Sequence, residues 1–136
     1  MGSDGTVYMQ ETENCILENC CFINIGKYAL YLSGGRNNSI CGNDISFGAE
    51  GGIFAIGSPG NKISDNHIHH CGQVRKHIGG IVLYGADSSG NVVSHNLIHD
   101  ISRYGITLKD PGCRNIIEYN HVLTQILRPL TPAPLK

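Results

Sequence analysis

A parallel β-solenoid is the fold this sequence predicts, on three observations: a repeat with a period near 23 residues, short alternating runs within each period, and like residues in columns from copy to copy. Four segments read Asn-x-apolar-x-x-Asn-x-apolar: NSICGNDI (38–45), NKISDNHI (61–68), NVVSHNLI (91–98) and NIIEYNHV (115–122). A degenerate fifth copy, CILENCCF (15–22), carries Cys15 and Cys20 where the others have Asn. The second such position runs Cys20, Asn43, Asn66, Asn96, Asn120, with spacings of 23, 23, 30 and 24 residues. Helical solenoids need two long amphipathic helices per unit. Here each run has three to five residues and ends at Gly, Asn or Asp. The LxxLxL signature of leucine-rich repeats is missing as well.

Each coil should therefore hold three short strands. Two come from the Asn motif, with inward columns Leu17/Ile40/Ile63/Val93/Ile117 and Phe22/Ile45/Ile68/Ile98/Val122. The third comes from ALYL, GIFA, GIVL and GITL, whose leading apolar residues Leu30, Ile53, Ile81 and Ile106 form a further column. Eight residues separate these from Phe22, Ile45 and Ile98, but thirteen separate Ile68 from Ile81, which marks an insertion of five. Stacked coils lie about 4.8 Å apart, so asparagine amides in one column can bond to those above and below. Asn also tolerates left-handed backbone, which would suit it to the turn itself.

The Asn-x-Ile-x-x-Asn-x-Ile units and Gly-Ile-x-Leu strands resemble those of the right-handed parallel β-helix proteins with pectate-lyase-type repeats. The resemblance spans roughly residues 13 to 123 and implies an all-β, right-handed parallel β-helix of about five coils of about 23 residues. Residues 1–12 then read as an N-terminal segment or cap and 124–136 as a Pro-rich tail, able to cover the last coil through Ile126, Leu127 and Leu130. The family includes polysaccharide lyases, glycoside hydrolases, uronate epimerases and phage tailspikes, and fold alone does not choose among them.

Composition narrows the classes. Ten basic against eleven acidic residues leave no electrostatic footprint for nucleic acid. No apolar run approaches the ~20 residues of a membrane span, and the N-terminus does not read as a signal peptide. An extracellular location follows if the chain is part of a secreted parent. The six cysteines show no CxxC pair and read as buried free thiols more than as a disulfide framework.

Function in a solenoid resides in insertions and outward faces. The insertion HHCGQVRKHIGG carries His69, His70, Arg75, Lys76 and His77. Column counting stacks His69 on His99 and His70 on Asp100, which would gather three imidazoles and a carboxylate. A carboxylate that orients a histidine suits acid–base work, and the same groups fit a divalent transition metal. The bland alternative is a stacked polar ladder, the role given to His67, His95 and His121; no dedicated metal site is assigned. Arg103, Tyr104, Tyr84 and Lys109 fall nearby in the repeat.

In polysaccharide lyases of the family Lys or Arg removes the proton α to a uronate carboxyl, with calcium and acidic groups neutralising that carboxyl. Arg75, Lys76, Arg103 and Lys109 match in type. Asp87, Asp100 and Asp110 lie in separate turns, so calcium lacks an acidic cluster. The expectation is a carbohydrate-active module of a larger, bacterial or phage polysaccharide-processing protein. His70, His99, Asp100, Arg103 and Lys109 would be its catalytic set, and His69, Arg75, Lys76, His77, Tyr84 and Tyr104 its contacts to a polysaccharide or oligosaccharide. Outward Phe54, Ile56, Val82 and Tyr84 form an apolar stripe that could bind sugar, be covered by Val74 to Ile78, or trimerise the chain. That last option defines the alternative, a non-catalytic structural or assembly module.

Overall fold

The computed structural model describes residues 5–72 and 79–123. Among the described residues fifteen strands run in chain order through five coils. The first coil has β1 (Gly5–Gln10), β2 (Ile16–Glu18) and β3 (Cys21–Ile25); the second, β4 (Tyr28–Ser33), β5 (Ser39–Cys41) and β6 (Asp44–Gly48). The third has β7 (Ile53–Ile56), β8 (Lys62–Ser64) and β9 (His67–Cys71). The fourth has β10 (Gly79–Tyr84), β11 (Val92–Ser94) and β12 (Leu97–Ile101), and the fifth, β13 (Tyr104–Lys109), β14 (Ile116–Glu118) and β15 (His121–Leu123). Like strands stack into three five-stranded parallel sheets, headed by β1, β2 and β3.

The registers align the columns drawn from the sequence: Leu17 with Ile40, Ile63, Val93 and Ile117, and Leu30 with Ile53, Ile81 and Ile106. Central members are sealed; Ile40, Ile45, Ile53, Ile63, Ile68, Ile81 and Ile98 have no exposed surface. Each such side chain contributes about 1.5–3 kcal/mol by burial. The helix also starts before Glu13. Gly5–Gln10 pairs with β4 because Val7 and Met9 continue the columns of Leu30 and Leu32. The expected Pro-rich tail at 124–136, with Ile126, Leu127 and Leu130, lies outside the described residues.

Two asparagine ladders run through the corners. Asn38, Asn61, Asn91 and Asn115 form one; Asn43, Asn66, Asn96 and Asn120 form the other. Six of these eight are at most 1 % exposed. From Asn61 and Asn66 onward each ladder oxygen accepts both the backbone N–H and the amide N–H of the preceding coil: Asn43 donates both to Asn66 Oδ1 at 3.0 Å. The oxygens of Asn38 and Asn43 accept only the backbone N–H of Cys15 and Cys20. The remaining amide proton of Asn66 goes to the Ile40 carbonyl at 3.0 Å. The left-handed residue, however, is the one before the ladder: Asn19, Gly42, Asp65, His95 and Tyr119 precede the second column. The ladder asparagine must aim its amide into the coil, so its neighbour makes the turn.

The six thiols are free, and only Cys71 is buried; Cys15, Cys21 and Cys113 are exposed. The expectation of uniformly buried thiols fails because Cys15 and Cys113 sit at corners of the outer coils, and Cys21 points outward from β3.

Candidate functional site

The site forms on the outer face of the third sheet, where β6, β9 and β12 lie side by side. Strand alternation puts His67 and His69 on one face, and the register sets His69 against His99 and Asp44 against His67. His70 and Asp100 join them through a break in alternation. Both adopt left-handed backbone, φ 56° and 55°, as do Asn24 (59°) and Phe47 (57°) in earlier coils. That kink lets consecutive residues 69 and 70 both face outward. For Phe47 and His70 it is an uncommon conformation, of a kind that clusters at functional sites.

The six groups close a ring. His67 Nε2 lies 2.8 Å from His99 Nε2, and His99 Nδ1 is 2.7 Å from Asp100 Oδ2. Asp100 Oδ2 is 3.7 Å from His70 Nε2, and His70 Nδ1 is 2.8 Å from His69 Nδ1. His69 Nε2 then lies 3.3 Å from Asp44 Oδ1, and His67 Nδ1 lies 3.7 Å from Asp44 Oδ2. With every ring neutral, one arrangement satisfies all four short contacts. His99 Nδ1–H donates to Asp100, His67 Nε2–H to His99, His70 Nδ1–H to His69, and His69 Nε2–H to Asp44. Tautomers are assigned here from the network. The two bare nitrogens, His67 Nδ1 and His70 Nε2, then face carboxylates at the two 3.7 Å contacts. Those are the positions where an added proton meets a counter-charge.

Ring packing tightens the cluster: His69 and His99 stack at 5.0 Å and 10°, and His70 lies flat on Phe47 at 4.9 Å and 17°. Burial and the neighbouring His67 push the His69 pKa below its ordinary value, partly opposed by Asp44. The His99 hydrogen bond holds the Asp100 carboxyl below the usual carboxylate range. One ring nitrogen from each of His67, His69 and His99 lies within 4.8 Å of the others, a spacing that can hold an ion.

The remaining predicted residues are distributed elsewhere. Arg103 donates Nε–H to the Tyr104 hydroxyl at 2.9 Å and lines a shallow cleft with Ile98, Ile101, Gly105, Val122 and Leu123. Lys109 sits over the Tyr84 ring at 5.7 Å on the first sheet. There Tyr8, Tyr31 and Phe54 form an aromatic column, with Tyr31 and Phe54 stacked at 4.9 Å; Val82 continues it, and Tyr84 in the next column meets Phe54 edge-on at 6.2 Å. Arg75, Lys76 and His77, and the cover expected from Val74 to Ile78, lie outside the described residues. The sequence reading missed two members, His67 and Asp44. Period-two alternation from His69 and the column position of Asp44 were the signals that could have found them.

The right-handed beta helix region family model matches residues 2–125. This chain belongs to the right-handed beta helix family. Two solved structures resemble the β-helix, both A-modules of mannuronan C-5 epimerases from Azotobacter vinelandii. The AlgE4 module gives a TM-score of 0.66 at 17 % identity over 89 % of this chain and 41 % of its own. The AlgE6 module gives 0.68 at 13 % over 88 % and 42 %. The chain thus spans less than half the length of either module, and the likeness is one of fold. No curated protein matches the chain.

Proposed function

We propose that this β-helix is a carbohydrate-active module, part of a larger polysaccharide-processing protein, and that the His–Asp ring is its acid–base centre. The observation that carries this is the Asp100–His99 hydrogen bond of 2.7 Å beside a second imidazole, His70, whose Nε2 faces the same carboxylate. A carboxylate fixes the ring's tautomer and stabilises the imidazolium formed when it takes a proton. The family and the epimerase A-modules support a uronate polymer as substrate, and proton removal α to its carboxyl as the reaction class. In that reading His70 takes the C5 proton at its bare Nε2, with Asp100 as counter-charge, or His99 takes it at Nε2 once the hydrogen bond from His67 has opened. Return of a proton completes an epimerisation, whereas loss of the glycosidic oxygen completes a lyase reaction. Arg103, in the turn after β12, and Lys109, on the first sheet, would bind the extended chain rather than act on C5, with Tyr84 and Tyr104 as flat contacts.

The test is to incubate polymannuronate and other acidic polysaccharides with the protein in D2O. Deuterium at C5 reads proton exchange, ultraviolet absorbance reads unsaturated uronate, and reducing ends read hydrolysis. We expect exchange, reduced about 100-fold or more in Asp100→Asn, the ordinary range for loss of acid–base catalysis. Silence in all three channels from folded protein rejects the reading.

The aromatic column on the first sheet favours a second reading, a non-catalytic assembly or docking module. Sedimentation at low and high concentration separates the two. Concentration-dependent oligomers lost in Phe54→Ala, without any activity, would establish assembly.

A further inference from the structure

We propose that His67, His69 and His99 together bind one divalent transition-metal ion of the zinc type. The donor set comes from an i, i+2 pair on β9 and the cross-strand partner on β12, a minimal way for adjacent coils to aim three imidazoles at one point. The Nε2 atoms of His67 and His99 are 2.8 Å apart. Two nitrogens on a tetrahedral ion with Zn–N bonds of about 2.0–2.1 Å lie about 3.3 Å apart. The His67 and His99 rings therefore need to part by about half an ångström, and the His69 nitrogen, within 4.8 Å of theirs, to close on the ion.

The ion takes the place of a shared proton. Without metal, His67 donates Nε2–H to His99 Nε2. With metal, that proton moves to His67 Nδ1, where the Asp44 carboxylate already waits at 3.7 Å. His99 needs no change: its Nδ1–H is held by Asp100 at 2.7 Å and its Nε2 lone pair is free to ligate. For His69, one ring nitrogen faces Asp44 and the other faces His70, so the nitrogen that does not ligate keeps a partner. Ligand imidazoles usually donate their other N–H to a carboxylate, a carbonyl or water, the place Asp44 and Asp100 hold here.

All three ligands being nitrogen selects zinc, cobalt, nickel or copper over calcium and magnesium, which take oxygen. The imidazoles are 39 %, 18 % and 24 % exposed for His67, His69 and His99, so an ion would be partly desolvated yet open on one side. Three protein ligands and an open position are the pattern of an ion that binds water or a substrate oxygen. Metal binding does not depend on the glycan reading and is measured without polysaccharide.

Cobalt(II) titrated into the full chain reports ligand type directly in its visible spectrum, and zinc by calorimetry gives stoichiometry. We expect one equivalent, a nitrogen-ligated spectrum without a thiolate charge-transfer band, and a Kd well below millimolar. His67→Gln and His99→Gln should each weaken binding by about 100-fold, and Asp100→Asn by about 10–100-fold as a partner behind the ligand. His95→Gln, outside the cluster, should stay within about twofold of the parent. Circular dichroism checks folding, and His67, the most exposed ligand, decides the matter if His99→Gln does not fold. No saturable binding at roughly millimolar metal, a thiolate band, or unchanged affinity in His67→Gln overturns the proposal.

Discussion

A ladder asparagine in mid-helix carries more than its own side chain. Asn66 accepts from the backbone and amide of Asn43 and donates to Ile40 O and Asn96 Oδ1, all at 3.0 Å and all buried. Replacing it with Ala orphans two donors and a carbonyl that water cannot reach. Each such loss costs about 1–3 kcal/mol, so Asn66→Ala should lower stability by about 3 kcal/mol or more in urea titration. Asn120 is only part-buried, and its removal leaves groups that water can serve; about 1 kcal/mol is expected there. Equal losses at the two positions would mean the ladder does not act through buried polar groups. This ladder is legible from sequence because spacing alone fixes a column. The left-handed turn one residue earlier is not, because Asp65, His95 and Tyr119 share no type.

The third strands show what an element can hold that a repeat does not announce. His69 and His99 pair as their column positions require. The positive φ at His70 and Asp100 departs from strand alternation, and it is this departure that closes the ring. Sequence counting placed the stack but gave His67 to a decorative ladder, since a flanking Asn motif masks its facing. It also grouped Lys109 with the histidines, although β13 belongs to a different sheet. A left-handed residue suits Asn better than imidazole. His70→Asn should therefore leave the urea midpoint within about 1 kcal/mol of the parent. Deuterium exchange into a uronate polymer should meanwhile fall about 100-fold. A stability loss above about 2 kcal/mol would instead make His70 a structural residue, held by its stack on Phe47.

Over the whole molecule, stability should grade from ends to middle, because each coil contacts only its neighbours. Burial already follows that gradient: Ile63 and Ile68 are sealed, whereas Ile117 and Val122 in the fifth coil are 38 % and 39 % exposed. The thiols sample it without any mutation. Cys15 and Cys21 lie in the first coil and Cys113 in the fifth, all exposed, while Cys71 is 2 % exposed in the third. Burial also pushes the Cys71 thiol up to about 11, so little thiolate forms near neutral pH while the site stays closed. Iodoacetamide at pH 8 should label Cys15, Cys21 and Cys113 first, read by peptide mass spectrometry. Cys71 should react only through large-scale opening, with a rate that rises with urea as steeply as global unfolding does. If Cys71 labels early and without urea dependence, the third coil opens locally. The outer face of β9 would then lack the rigid support that the His–Asp ring requires.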